Sequence, residues 1–233
     1  MKRMVAWLQK LDWFRRRERE PSITLRPWLW TGLETVHELG VDVPERYYFH
    51  PCHTWAFHEG METVRVGLDS FAAIFLGEIE HIDVVGLNRW VRQGQRLMTV
   101  TGAELCVELL SPLEGEVKAV NRGALQNPRV VVTSPYEHGW IATIYSPHIA
   151  TDLKNLLQGP MAVMWMRKSR ARLRQMALAL APSLPQENAL SLKELLASVS
   201  PELKSKLVKE YFLTAPVPTT QGAARLPGES SRS

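Results

Sequence analysis

Two cysteines in 233 residues leave little room for cysteine chemistry. Cys52 and Cys106 lie far apart in dissimilar contexts, so neither a disulfide framework nor a four-cysteine zinc pattern can be assembled, and a reducing cytoplasm is the simplest setting. Long apolar runs are missing too: none reaches the ~18 residues needed to cross a bilayer. The first residues hold no uninterrupted apolar stretch with a small-residue cleavage site, so no signal peptide is expected. There is no glycine-rich phosphate loop and no Ser/His/Asp order in a supporting context, and the glutamates are scattered as a solvated face would have them. The expectation is a protein that is not an enzyme and has no cofactor and no metal. Charge of one sign is barely in excess: 28 Lys+Arg against 24 Asp+Glu give +4. That surplus becomes informative because it gathers at the two flanks.

Pattern divides the chain into four parts. Residues 1–45 read as a basic amphipathic helix and a linker, 46–165 as a β domain, 166–213 as a helical extension and 214–233 as a disordered tail. In the first part Met4, Trp7, Leu8, Leu11 and Phe14 recur at helical spacing, with Lys2, Arg3, Lys10, Arg15, Arg16 and Arg17 around them. A second short helix is expected from Thr31 to Leu39, closed by Gly40 and stopped by Pro44. From Arg46 to about Ser146 short alternating runs (VRVGL, IDVV, LMTV, ELCVELL, VKAV, RVVV, WIATIY) are separated by Gly, Asn, Pro and Ser, which predicts antiparallel strands. One short helix interrupts them, capped by Asp69 in DSFAAIFLGEI. After Pro147 the period becomes helical again. In PMAVMWMRKSRARLRQMALAL, Ala162, Met166, Ser169, Leu173, Met176 and Leu180 share a face, and basic residues crowd the others. A last helical stretch precedes the tail, whose Pro, Gly, Ser and Thr cannot support a core.

The run HTWAFHEGMETVRVGLDSFAAIFLGEIEHIDV, continued by SPLEGEVKAVNRGALQNP and SPYEHGW, resembles the H protein of the glycine cleavage system. The match spans about Arg46 to Trp165 and runs without a gap from His53 through Trp140. His53 and Trp55 fall on a His-x-Trp motif, Gly67 and Phe71 on the turn into a helix, Leu76 and Gly77 on Leu-Gly-(Asp/Glu)-Ile. Pro135, Tyr136, Gly139 and Trp140 fall on Pro-Tyr-x-x-Gly-Trp. The resemblance implies a mainly β fold, a barrel-sandwich hybrid of the lipoyl-domain kind, here with added N- and C-terminal helices, and it implies that the Trp140 indole lies inside. It also implies a lipoyl lysine at a hairpin tip, within Glu-Ser-Val-Lys-Ala. In this chain that stretch reads Thr101, Gly102, Ala103, Glu104 and Leu105, so Glu104 occupies the lysine position. A carboxylate cannot be acylated. Val85, Asn88 and Val132 depart from a family Pro, Gly and Asn.

Other candidate groups read as structural. Alternation sets Leu105, Val107 and Leu109 inward and leaves Cys106 outside between Glu104 and Glu108, whose like charges work against a thiolate nucleophile, so a surface cysteine is expected. In HPCHTWAFH, strand alternation puts His50 and Cys52 on one face and His53 on the other, with no second cluster to close a tetrahedral site. Lys118 is the nearest lysine to the hairpin, but it follows the Ser111 to Gly115 turn. The favoured function is a non-lipoylated binding or scaffold subunit in a larger protein assembly. The alternatives are a lipoyl and aminomethyl carrier of the glycine cleavage system and a thiol or metal redox protein. Trp7, Leu8, Leu11, Phe14, Arg15, Arg16 and Arg17 are the candidate contacts to a protein partner or to an anionic membrane on its cytoplasmic face. Nucleic acid is disfavoured because the basic runs lack interleaved stacking aromatics.

Overall fold

The computed structural model describes residues 35–38, 40–102, 105–180, 191–197 and 199–212. The basic N-terminal helix and the C-terminal tail lie outside them. The first described element is a hairpin of β1 (Thr35–Glu38) and β2 (Val41–Pro44), paired antiparallel from Thr35↔Pro44 to Glu38↔Val41. A helix over Thr31–Leu39 is therefore overturned at residues 35–38. Gly40 misled the reading because it does adopt a left-handed φ of +90°, which serves a helix C-terminus and a tight hairpin turn equally. Val41 and Val43 are buried.

The main sheet runs in the order β3-β4-β5-β11-β10-β7, formed by Tyr48–His50, Thr54–Gly60, Thr63–Leu68, Trp140–Tyr145, Gly115–Val120 and Trp90–Val91 respectively. A second sheet has the order β6-β8-β9, from Ile79–Val84, Arg96–Gly102 and Cys106–Leu110. Every pairing is antiparallel. The core holds the fully buried Phe49, Trp55, Leu68, Phe71, Leu97, Leu109, Leu113, Ile141 and Ile144. The fold is thus mainly β with additional helices.

Helix α1 (Ser70–Leu76) starts as expected: the Asp69 carboxylate accepts the Ala72 amide at 2.8 Å, and Gly77 closes the end with φ +70°. Two one-turn helices, α2 (Arg122–Gln126) and α3 (Arg129–Thr133), connect β10 to β11. The run RVVV is therefore helical, not a strand. Pro128 presets a helical φ of −60° at its start, only Val131 of the three valines is buried, and tertiary packing overrides β-branched propensity over five residues. Gly139 shows why this connection needs its glycine: a Cβ there would sit 2.8 Å from both the Ser134 carbonyl oxygen and the Val131 Cα.

After β11 come α4 (Ile149–Leu153), the long α5 (Gly159–Leu180), α6 (Leu192–Ala197) and α7 (Pro201–Tyr211). Along α5, Ala162, Met166, Ser169, Leu173 and Ala177 are buried, the expected stripe with Ala177 lying deeper than the half-buried Met176. The last helical stretch is two helices, broken before Pro201 where the ring favours a first-turn position. No helix among the described residues is long and apolar enough to cross a membrane.

Candidate functional site

The β8–β9 hairpin is built as a rigid support. Its ladder runs from Arg96↔Leu110 to Thr101↔Cys106, and the Gly102 amide donates to the Leu105 carbonyl at 2.8 Å. Ala103 and Glu104, between these two in sequence, lie outside the described residues. Gly102 is fixed by a close approach, since a Cβ there would come within 2.6 Å of the Glu78 carbonyl oxygen. Leu97, Met98 and Val100 of β8 and Leu105, Val107 and Leu109 on the return are buried. The inward set was legible, but the other face was misjudged. Cys106 is 9% exposed and rests 3.4 Å from the Thr101 hydroxyl, so it is not a surface cysteine. Cys106 stands opposite Thr101 on the face turned away from Val100 and Val107, as alternation requires, and that face is only partly open, with Thr99, Thr101 and Glu108 half-buried.

The HPCH segment also differs from a continuous strand. β3 ends at His50, the chain turns, and His53 takes a left-handed φ of +64° before β4 begins. The turn brings His50 Nδ1 to 2.8 Å from Cys52 Sγ. The Cys52 amide donates to the same Nδ1 at 3.2 Å, so the ring nitrogen is an acceptor and the imidazole is neutral. Burial holds the His50 pKa down to about 3, aided by nearby His53, and pushes Cys52 up to about 11. Loss of hydration disfavours the charged form of each group, so the resting pair is thiol and neutral imidazole, the inert combination. Thr54 sits 3.3 Å from the thiol and donates to the Leu110 carbonyl at 3.0 Å.

His53 turns the other way and becomes the centre of an aromatic cluster. Its Nδ1 lies 2.8 Å from Asp69 Oδ2, with both residues buried. The ring stacks on Phe71 at 4.2 Å and packs against Trp165 at 4.7 Å, with Tyr211 and Phe212 at 6.2 and 6.0 Å. Asp69 thereby caps α1 with one oxygen and orients His53 with the other. The imidazole is enclosed, so this His–Asp pair organises the junction between the β core and the C-terminal helices. Sequence spacing hid that junction, because its partners are 16 to 159 residues apart in the chain.

Trp140, expected inside, is only half-buried, and the Arg65 guanidinium lies 5.1 Å from its ring centre. The fully buried indole is Trp55, whose Nε1 donates to the Leu68 carbonyl at 2.6 Å. Asn88 takes φ +59° in the loop before β7. Asparagine tolerates that region better than other side chains, so this left-handed position does without glycine. A shallow groove of about 360 Å³ opens between Asn127, His138 and Trp140. Its Asn121 is committed to structure, accepting from Ala124 and donating to the His138 and Trp140 carbonyls. Among the described residues no group of three or more His, Cys, Asp or Glu side chains could hold a metal ion. The candidate partner contacts Trp7, Leu8, Leu11, Phe14, Arg15, Arg16 and Arg17 fall outside the described residues.

With this geometry in view, the profile of the family described as Glycine cleavage H-protein matches residues 46–169. The glycine cleavage system H protein of Thermus thermophilus is 30% identical over 117 residues, covering 50% of this chain and 90% of that protein. The counterpart from Prochlorococcus marinus is 29% identical over 116 residues, covering 50% and 88%. A crystal structure of the glycine cleavage system H protein from Mycobacterium marinum superposes with a TM-score of 0.45 and 21% identity, over 54% of this chain and 98% of that one. Since the matched profile covers more than half of its residues and the relatives are covered nearly end to end, the chain belongs to the glycine cleavage H-protein family.

Proposed function

We propose that this family member is a binding or scaffold subunit of a larger protein assembly and carries no lipoyl group. One observation carries the reading: after Lys10 the next lysine is Lys118. An amide-linked arm needs a primary amine, and neither β8, β9 nor the residues between them supply one. Lys118 is a poor substitute. It belongs to β10 in the other sheet and not to the β8–β9 hairpin. The support for an arm is kept, since the hairpin ladder is regular and its inward face packed, while the attachment chemistry is gone. Family membership sets carriage rather than catalysis as the ancestral role, within a set of cooperating proteins.

What such a subunit does without its arm must be done by binding. The N-terminal residues Trp7, Leu8, Leu11, Phe14, Arg15, Arg16 and Arg17 supply an apolar stripe with basic neighbours, fitted to a protein groove or to an anionic membrane. Intact mass of the protein from its native source is the first test. An unmodified mass supports the reading; a mass increased by one lipoyl group sinks it and restores the carrier. The second test removes residues 1–20. The remainder should keep its circular dichroism spectrum and leave its native complex or membrane fraction, and reversing charge at Arg15, Arg16 and Arg17 should weaken the same association in a salt-dependent way. Unchanged fractionation of the truncated protein would move the binding surface elsewhere.

A further inference from the structure

One face of the six-stranded sheet keeps two aromatic rings in water. Trp90 on the edge strand β7 is 47% exposed and Tyr145 on β11 is 38% exposed. Both stand directly opposite Glu116 of the intervening β10. Opposed residues project from the same face, so ring, carboxylate and ring form a row about 10 Å long, two strand spacings. Further carboxylates edge it. Trp90 Nε1 donates to Glu114 at 3.2 Å, and the Glu62 carboxylate beside the Tyr145 hydroxyl raises the phenol's pKa. Lys118 reaches in from the other side, 6.0 Å from the Tyr145 ring centre. Three carboxylates and the Lys118 ammonium border the two π faces, and the exposed Arg92 follows Trp90 along the edge.

We propose that this row is a docking surface for an arginine- or lysine-bearing segment of a partner protein, the cation lying over Trp90 and pairing with Glu114 or Glu116. Exposed tryptophan is a favoured anchor in interfaces, and a cation gains from a ring face and a carboxylate together. Arginine suits the site better than lysine, because a planar guanidinium can stack on the indole and engage a carboxylate with two parallel hydrogen bonds. The exposed Lys118–Glu116 pair contributes little and exchanges readily for a better partner. A second copy of this chain would bring like charges face to face, and an anionic membrane would be repelled, so neither matches the patch. The surface lies in the other sheet from the β8–β9 hairpin, so it stands or falls independently of whether the hairpin is modified.

The test titrates a blocked, dye-labelled hexa-arginine peptide with the full chain at low salt and reads fluorescence anisotropy. The chain is net positive, +4, so a cationic peptide has no general attraction to it. Binding should weaken as salt rises, and hexa-lysine should bind less tightly. Trp90→Ala and the double variant Glu114→Gln with Glu116→Gln should each weaken binding by about fivefold or more. Trp90→Phe should retain most of it, and Glu80→Gln, the same kind of charge change in the other sheet, should leave it unchanged. Equal affinity for wild type and Trp90→Ala, or an equal loss with Glu80→Gln, would overturn the proposal. So would a dimer in sedimentation that Trp90→Ala dissolves, or binding to phosphatidylserine vesicles that depends on Trp90.

Discussion

At Gly67 the core has room for a hydrogen and none for a methyl group unless the Trp55 indole shifts. Gly67 pairs with Trp55 across β4 and β5, and a Cβ there would lie 2.6 Å from Trp55 Cζ2. Gly67→Ala must push aside a fully buried indole, and overpacking of this kind costs about 1–3 kcal/mol. Trp55→Ala removes the indole itself and should cost about 3–5 kcal/mol. Trp140→Ala should cost less than Trp55→Ala, since that ring is half in water and its Arg65 contact contributes about 0.5–1 kcal/mol. Urea unfolding of the three variants ranks them; Trp140→Ala as damaging as Trp55→Ala would return Trp140 to the core. His50 gives a pH signature. The unfolded chain protonates it near 6.5, the native state only near 3, so between these values the unfolded state binds more protons. Its contribution is complete above about pH 6.5 and declines as pH falls toward 3, by at most about 1.4 kcal/mol per pH unit. Urea midpoints at pH 7, 5.5 and 4 should fall more steeply for wild type than for His50→Gln.

At the scale of elements, legibility followed how much local chemistry fixed each one. Asp69 at the head of α1 and the alternation through β5, β8, β9 and β11 were readable because a cap or a period of two depends on neighbours in the chain. The β1–β2 hairpin and α3 were misread because Gly40 and Val130 to Val132 satisfy two local rules, and tertiary contacts choose between them. The β8–β9 hairpin was read correctly on its inner face and wrongly at Cys106, since alternation gives the face a residue points from and not what lies over it. Its chemistry is still testable from sequence alone. Glu104→Lys supplies the missing amine, yet Thr101, Gly102 and Ala103 also depart from the recognition sequence that the family resemblance implies. The variant should fold normally and remain largely unmodified in a lipoylating host, read by intact mass. Efficient modification would mean that the amine alone was lacking.

At the scale of the whole molecule, the question is whether the C-terminal helices belong to the core or hang from it. The basic residues of α5 invite a reading of the whole extension as a docking arm, and periodicity alone permits it. The packing argues otherwise. Leu192, Leu195, Leu196, Leu207, Val208, Tyr211 and Phe212 are buried, Phe212 packs edge-on to Phe75 at 5.2 Å, and Tyr211 lies 5.3 Å from Phe71. The Tyr211 hydroxyl donates to the Ser169 carbonyl at 3.1 Å, and Glu210 pairs with Arg172 at 2.8 Å, tying α7 back to α5. These helices therefore close the aromatic cluster around His53 and extend the family's core. Removing residues 181–233 should leave Phe71, Phe75 and Trp165 facing water, lower the thermal midpoint and create binding of a hydrophobic dye, with β structure retained in the far-ultraviolet spectrum. Phe212→Ala should reproduce part of the loss, about 3–5 kcal/mol for a buried phenylalanine. Both follow from α7 being core. A truncated protein with an unchanged midpoint and no dye binding would make the helices an appendage and leave their basic face to docking.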